Sequence, residues 1–432
     1  MRFLIYIRAK INFNYRTFKE AVSMSIRKFF IVFAACLVLT LPALFLTKIP
    51  SALADPAPNA PVTGLEGLSS SEVVQRMGLG WNLGNTMECA GAWIKGPQVN
   101  SFETAWGNPE TTKDMIDGIK AAGFKSVRIP VAWSNLMGDN YTINPQLMAR
   151  VKEIVGWVQD DGMIAVVNIH WDGGWWSKFP TEYDKSMARY TRMWSQIAGS
   201  FKDYPGTLIF ESLNEEGCWN DVWNRYGSGT PEQKQKVYGI LNNINQAFVD
   251  LVRKSGGLNA QRHLLIAGYA TDIDLTVDPA FIMPKDPAGH SIVSVHYYTP
   301  YTFAGLEHDE SWGKARSSWG TEADLAELNA NMLKLKPRFL DQGIPVIVGE
   351  YGATLKNKDP DSVRKYMLAV AQKVYTMGMC PMLWDPGSHF NRHNLQFDDQ
   401  ELLKGFQKIM GMPRDAASAA AAVPTAQSGK TN

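Results

Sequence analysis

Between residues 79 and 384, short apolar runs alternate with longer amphipathic stretches, and this alternation constrains the fold more than any other feature of the chain. The strand-sized runs are residues 79–83, 126–130, 164–169, 208–213, 263–267, 292–295, 346–348 and 382–384. Stretches of helical period follow most of them, at 111–122, 146–160, 232–254, 322–342 and 361–378, and the fifth connection carries the weakest signal. Strand, helix and strand in this order imply a parallel sheet, because parallel neighbours need a long crossover that a helix supplies. Eight such units over about 350 residues fit a (β/α)8 TIM barrel with insertions, folded as a single domain. The competing arrangement, a doubly wound open sheet, would place a glycine-rich phosphate loop after the first strand. This chain has Trp81-Asn82-Leu83-Gly84-Asn85 there instead.

Charge narrows the partners. Lys and Arg number 43 against 42 Asp and Glu, a formal net charge of +1, so no overall field draws the chain to nucleic acid or to an anionic membrane. An uncharged partner is expected. The 14 Trp and 15 Tyr suit stacking on the apolar faces of sugar rings, although many must fill core.

The ends read differently from the middle. Arg27 and Lys28 precede an apolar run at 29–46, and Ala52-Leu53-Ala54 forms a small-x-small cleavage site before Asp55. Export with cleavage after Ala54 is expected; Met24 is an alternative start, and an uncleaved N-terminal anchor is the alternative fate. The chain therefore divides into an N-terminal extension with signal peptide (1–54), a Pro/Ala linker (55–63), the barrel (64–412) and a low-complexity tail (413–432). Cleavage would remove Cys36 and leave Cys89, Cys218 and Cys380, an odd count. A Cys89–Cys218 bridge and three buried free thiols both remain open.

In a barrel of this type the functional face lies at the carboxyl ends of the strands. Polar residues close almost every strand: Asn82 and Asn85 after the first, Arg128 on the second, His170 after the third, Asn214 and Glu215 after the fourth, His296 and Tyr298 after the sixth, Glu350 on the seventh and Trp384 on the eighth. Each alone has an ordinary structural reading as a turn former, a cap or an ion pair. Seven strand ends agreeing point to a site. Two carboxylic acids on different strands are what glycoside hydrolysis needs, one to protonate the leaving oxygen and one to attack or to activate water. Glu215 and Glu350 meet that need. Glu216 rivals Glu215, but successive side chains along an extended chain point to opposite sides.

The motifs GWNLGNT at 80–86, VRIPVAW at 127–133, SLNEE at 212–216 and VGEYG at 348–352 resemble glycoside hydrolase family 5, the large cellulase family, over residues 80–384. The resemblance implies a retaining endo-β-1,4-glucanase, with Glu215 as acid/base and Glu350 as nucleophile. It implies a supporting set of Asn85, Arg128, His170, Trp171, Asn214, His296, Tyr298 and Trp384. Two departures stand out: Glu216 where many members have Pro, and Trp171 where many have a second His. A β-mannanase, a xyloglucanase or another β-glucanase is the alternative within the family, and a non-catalytic carbohydrate-binding barrel a remote one.

Chemistry assigns the roles without the name. Arg128 is a permanent cation suited to keeping Glu350 ionised. Asn214 can donate to the nucleophile or to the sugar 2-hydroxyl, and Trp384 suits a platform under the reacting sugar. Trp93, Trp106, Trp175, Trp176 and Trp219 fall in loops on the same rim. No cofactor and no metal are expected, since neither CxxC nor His-x-His spacing occurs. The expected partner is a β-1,4-glucan polysaccharide, bound by a monomer that engages neither nucleic acid nor, once the signal is removed, membrane.

Overall fold

The computed structural model describes Leu65 and residues 67–217, 219–227 and 229–415; the signal, linker and most of the tail assigned from sequence lie outside the described residues. Eight parallel strands close into a barrel in sequential order: β1 (Gly80–Leu83), β2 (Ser126–Ile129), β3 (Ile164–Asn168), β4 (Leu208–Glu211), β5 (Leu264–Ala267), β6 (Ser291–Tyr297), β7 (Val346–Tyr351) and β8 (Cys380–Asp385). Closure comes from pairing of β8 with β1, Trp384 lying opposite Asn82.

Helix α1 (Ser70–Met77) precedes the repeat, and its start is set by a capping box between Ser69 and Glu72. The crossovers carry α2 (Lys113–Ala121), α3 (Pro145–Asp160), α4 (Tyr183–Ser200), α5 (Pro231–Lys254), the single turn α6 (Ile273–Thr276), α7 (Glu322–Leu333) and α8 (Pro360–Thr376). Helix α9 (Gln400–Met410) follows β8. The weak fifth connection is thus a four-residue helix. The expected helix over 322–342 is broken after Leu333 into three pieces. Pro337 accounts for the break: it has no N–H to give the carbonyl of Leu333, and its ring crowds that carbonyl.

Alternation along the strands separates the barrel interior into layers. Ile164, Val166, Ile209, Leu265, Ile292, Ile347, Cys380 and Met382 form an apolar cluster, closed by Leu65, Val73, Val74 and Met77 of the N-terminal segment and α1. Two residues further along the same strands the inward positions turn polar: Val166 gives way to Asn168, Ile209 to Glu211 and Ile292 to Ser294. The apolar layer stabilises the barrel, each fully buried aliphatic side chain contributing about 1.5–3 kcal/mol. The polar layer above it is the floor of the site.

One irregularity matters there. The β6–β7 register shifts between Val295 and His296, so that Val295 pairs with Val348 but His296 with Glu350, and Gly349 is the extra residue. A Cβ on Gly349 would lie 2.9 Å from Ser294 Oγ and 3.3 Å from His296 Nε2, so glycine allows the close approach. The bulge brings His296 beside Glu350.

Candidate active site

Arg128 organises the polar layer. It is fully buried, and its guanidinium donates from Nε to Glu211 at 2.6 Å, from Nη1 to Glu350 at 2.8 Å and to Asn82 at 3.0 Å, and from Nη2 to Asn214 at 2.9 Å. Its fixed fork holds four acceptors from the ends of three strands, β1, β4 and β7. Glu211 also accepts from Ser294 Oγ at 2.7 Å. Asn82 donates to the carbonyl of Gly349 at 2.9 Å, which pins the β7 bulge.

Glu350 lies buried at the end of β7 between Arg128 and the cleft. Its second oxygen accepts from Tyr298 Oη at 2.9 Å, and His296 Nδ1 stands 3.6 Å from it. Burial works against ionising this carboxyl, but His296 and Arg128 outweigh that cost and hold it below the usual carboxylate range. The result is an ionised, oriented carboxylate whose side chain is only 6% exposed.

Glu215 faces it from the loop after β4. Its carboxylate accepts from His296 Nδ1 at 3.0 Å, and its side chain is 24% exposed, open to the cleft. Ligand atoms of Glu215, His296 and Glu350 all lie within 4.8 Å of one another. The trio also has the spacing of a cation site, but one oxygen of Glu350 accepts from Arg128 and the other from Tyr298, contacts that aim the carboxylate for direct chemistry. Glu216 turns away: it is buried, and its carboxyl accepts the backbone N–H of Asn214 at 2.7 Å.

The remaining residues form walls. His170 and Trp384 stack at 5.9 Å between ring centroids with 10° between planes, and Asn168 bonds the His170 ring at 3.2 Å. Trp384 is half-buried near the end of β8. Asp385 beside it accepts four backbone N–H groups, of Gly387, Ser388, His389 and Phe390, and the Trp81 indole at 3.0 Å, so the loop after β8 is tightly organised. Trp171 is 38% exposed on the rim, with Trp93 and Trp106 also exposed. Trp176 and Trp219 are instead buried, both packing with Phe179, and Trp176 also with Tyr190 of α4. Asn85 holds a left-handed turn just beyond β1 (φ 54°), its carbonyl accepting from Asn108 at 2.8 Å.

The structure thus gathers Arg128, His170, Asn214, Glu215, His296, Tyr298, Glu350 and Trp384 around one cleft. Glu211 was not among the residues singled out from sequence. Its signal was there, a lone acid inside the apolar run LIFES two residues after the inward-facing Ile209. Cys89 and Cys380 are buried free thiols, and Cys218, the partner considered for Cys89, lies outside the described residues. No helix among the described residues is long and apolar enough to cross a membrane.

A closed parallel barrel whose carboxyl-end face sets an arginine-clamped carboxylate opposite a second, more open one has the architecture of a glycoside hydrolase. Comparison with known proteins makes the class specific. The family described as cellulase (glycosyl hydrolase family 5) matches residues 87–389. Endoglucanase A of Paenibacillus barcinonensis is 33% identical over 390 residues, covering 81% of this chain and 92% of the relative. A xyloglucan-specific endo-β-1,4-glucanase of Bacteroides ovatus is 35% identical over 381 residues, covering 83% and 70%. A family 5 lichenase from a Caldicellulosiruptor species, solved as a mutant with cellotetraose, superposes with a TM-score of 0.73 at 31% identity, covering 79% of this chain and 96% of that one. The chain belongs to glycoside hydrolase family 5 and is a glycosyl hydrolase.

Proposed function

We propose that this enzyme is a retaining endo-β-1,4-glucanase in which Glu350 attacks the anomeric carbon and Glu215 serves first as acid and then as base. The observation that carries the reading is the separation of the two carboxylates, whose nearest ligand oxygens lie within 4.8 Å. Oxygens that close match the spacing of a retaining pair, whose carboxyl groups stand about 5–5.5 Å apart, better than the about 6.5–9.5 Å that an inverting pair keeps for an interposed water.

Each neighbour then has a task. Arg128 and Tyr298 hold Glu350 ionised and aimed while charge leaves it in forming the glycosyl ester. His296 bridges the two acids through Nδ1, and Arg128 engages the Asn214 carbonyl oxygen, leaving the amide NH2 to donate to the 2-hydroxyl of the reacting sugar. Trp384, steadied by His170, offers a flat face under that sugar. The exposed Trp93, Trp106 and Trp171 extend the cleft along the rim, which favours a polymer bound across it and cut internally. The xyloglucan-specific relative supports a branched β-1,4-glucan as the second reading of the substrate. The sequence from Arg27 to Ala54 supports export of a monomer that meets its polysaccharide outside the cell.

The test separates the two acids. Without Glu350 no covalent ester forms, so Glu350→Ala is expected to be inactive on polymer and on an activated aryl cellobioside, and azide should yield the inverted α-glycosyl azide. Glu215→Ala should lose polymer hydrolysis yet release a burst of phenol, with azide giving the β-azide. The opposite product pattern would exchange the roles. Side-by-side reducing-sugar release from carboxymethyl-cellulose, lichenan, xyloglucan, galactomannan and xylan fixes the substrate.

A further inference from the structure

The residue that follows the proposed acid/base is a second glutamate, and none of the steps above uses it. Glu216 is buried, accepts the Asn214 N–H through its carboxyl at 2.7 Å, and accepts the Ala270 N–H through its carbonyl at 2.8 Å. Its side chain therefore closes the turn that carries Glu215, while its main chain ties that turn to the segment after β5. Asn214, on the other flank, is held by Arg128 at 2.9 Å. Gly217 follows with φ +103°, a conformation that glycine adopts without strain and that lets the chain leave sharply. Glu215 is thus mounted on a peptide fixed on both sides.

We propose that Glu216 is a positioning residue for the acid/base: by holding the Asn214 amide it sets the direction in which the Glu215 side chain enters the cleft. The inference rests on the reading of Glu215 as acid/base. The groups that face Glu216 are Glu215 on its own loop, Asp172 from the loop after β3 and Tyr190 from α4, with the neighbouring Arg189 facing Asp172. Burial, reinforced by the two nearby acids, pushes the Glu216 carboxyl up to about 8 against the opposing pull of its amide contacts. Near neutral pH it is a neutral acid whose contribution is an acceptor oxygen, which glutamine supplies equally well.

Two variants test this on two substrates. Glu216→Met keeps length without the acceptor; its kcat/KM on carboxymethyl-cellulose should fall about tenfold or more, since general-acid catalysis contributes about 10²–10⁴-fold and a misdirected acid loses part of it. On dinitrophenyl cellobioside, whose leaving group needs no proton, kcat/KM should stay within about threefold. Glu216→Gln should match wild type on both, with pH profiles that overlay below about pH 8. Equal losses on both substrates in Glu216→Met, or none on either, would overturn the proposal. So would a Glu216→Gln alkaline limb displaced to lower pH, because removing a real negative charge beside Glu215 would weaken its hold on the proton. If the methionine variant does not fold, the glutamine profile decides. Glu215→Ala belongs in the same set: equal losses there refute the acid/base reading itself, whereas equal losses in Glu216→Met alone refute only the positioning role.

Discussion

Replacing Arg128 with lysine keeps a positive charge inside the barrel but removes the fork that distributes it. The guanidinium makes four hydrogen bonds from three nitrogens, to Glu211, Glu350, Asn82 and Asn214. A lysine ammonium is a single point; it can satisfy one carboxylate and one amide but not acceptors spread around the fork. Two charge-assisted bonds are lost, at about 1.5 kcal/mol each, or about 3 kcal/mol in all. An unfolding entropy of about 2.1 cal/mol/K per residue over roughly 350 residues gives about 0.7 kcal/mol/K, so the Tm should fall by about 4 °C.

The pH dependence carries a sign. Glu350 is held below its ordinary pKa in the folded enzyme, so the stability it contributes is present above the unfolded carboxylate pKa and lost as pH falls through the folded one. With the clamp weakened, the stability gap between wild type and variant should be widest near neutrality and narrow in acid. The acid limb of kcat/KM on an aryl cellobioside should move to higher pH, because the nucleophile is protonated sooner. Calorimetry at neutral and acidic pH, with a kcat/KM profile, measures both effects. A lowered Tm with an unmoved acid limb would refute the claim that Arg128 tunes the nucleophile.

Tyr298→Phe removes the hydroxyl that donates to Glu350 at 2.9 Å; a bond to a charged group contributes about 1.5 kcal/mol, so kcat/KM should fall about tenfold, and wild-type kinetics would show the hydroxyl idle. Trp384→Ala should lower kcat/KM by about 1 to 3 kcal/mol through lost stacking, with an unchanged value demoting the ring to packing. Protein recovered outside the cell should begin at Asp55; an external product that still carries Met24 to Ala54 would disprove cleavage.

The barrel was legible because a parallel strand buried on both faces shows as an apolar run, and eight of them with helical spacers leave few alternatives. The cleft was legible for a related reason, since the polar residues closing seven of the eight runs mark the open face. Periodicity could not report how the helix over 322–342 ends, because the pattern continues through Pro337 while the hydrogen bonds do not. Glu211 escaped for the opposite reason: it lies within a strand and looks like an interruption, and only the third dimension places it against Arg128. The bulge at Gly349 was equally silent, because one additional residue in VIVGEY changes no pattern yet decides which side chain stands beside His296. Among the aromatic residues, burial separated the loop-packing Trp176 and Trp219 from the exposed Trp93, Trp106 and Trp171, a distinction that residue type alone does not make.

Closure of β8 onto β1 has a topological corollary. A ring of like units has no privileged first member, and here the two ends of the ring adjoin: Arg414 donates to the carbonyls of Gln75 at 2.7 Å and of Met379 at 2.8 Å. A short peptide bridging that seam would leave the chain free to be cut elsewhere. The pair Gly256-Gly257, in the connection between α5 and β5 at the end opposite the cleft, both with positive φ, offers such an opening. The permuted chain would run in a new order from β5 through β8 to β4, with Glu350 now encoded ahead of Glu215, while every strand bearing a cleft residue stayed whole.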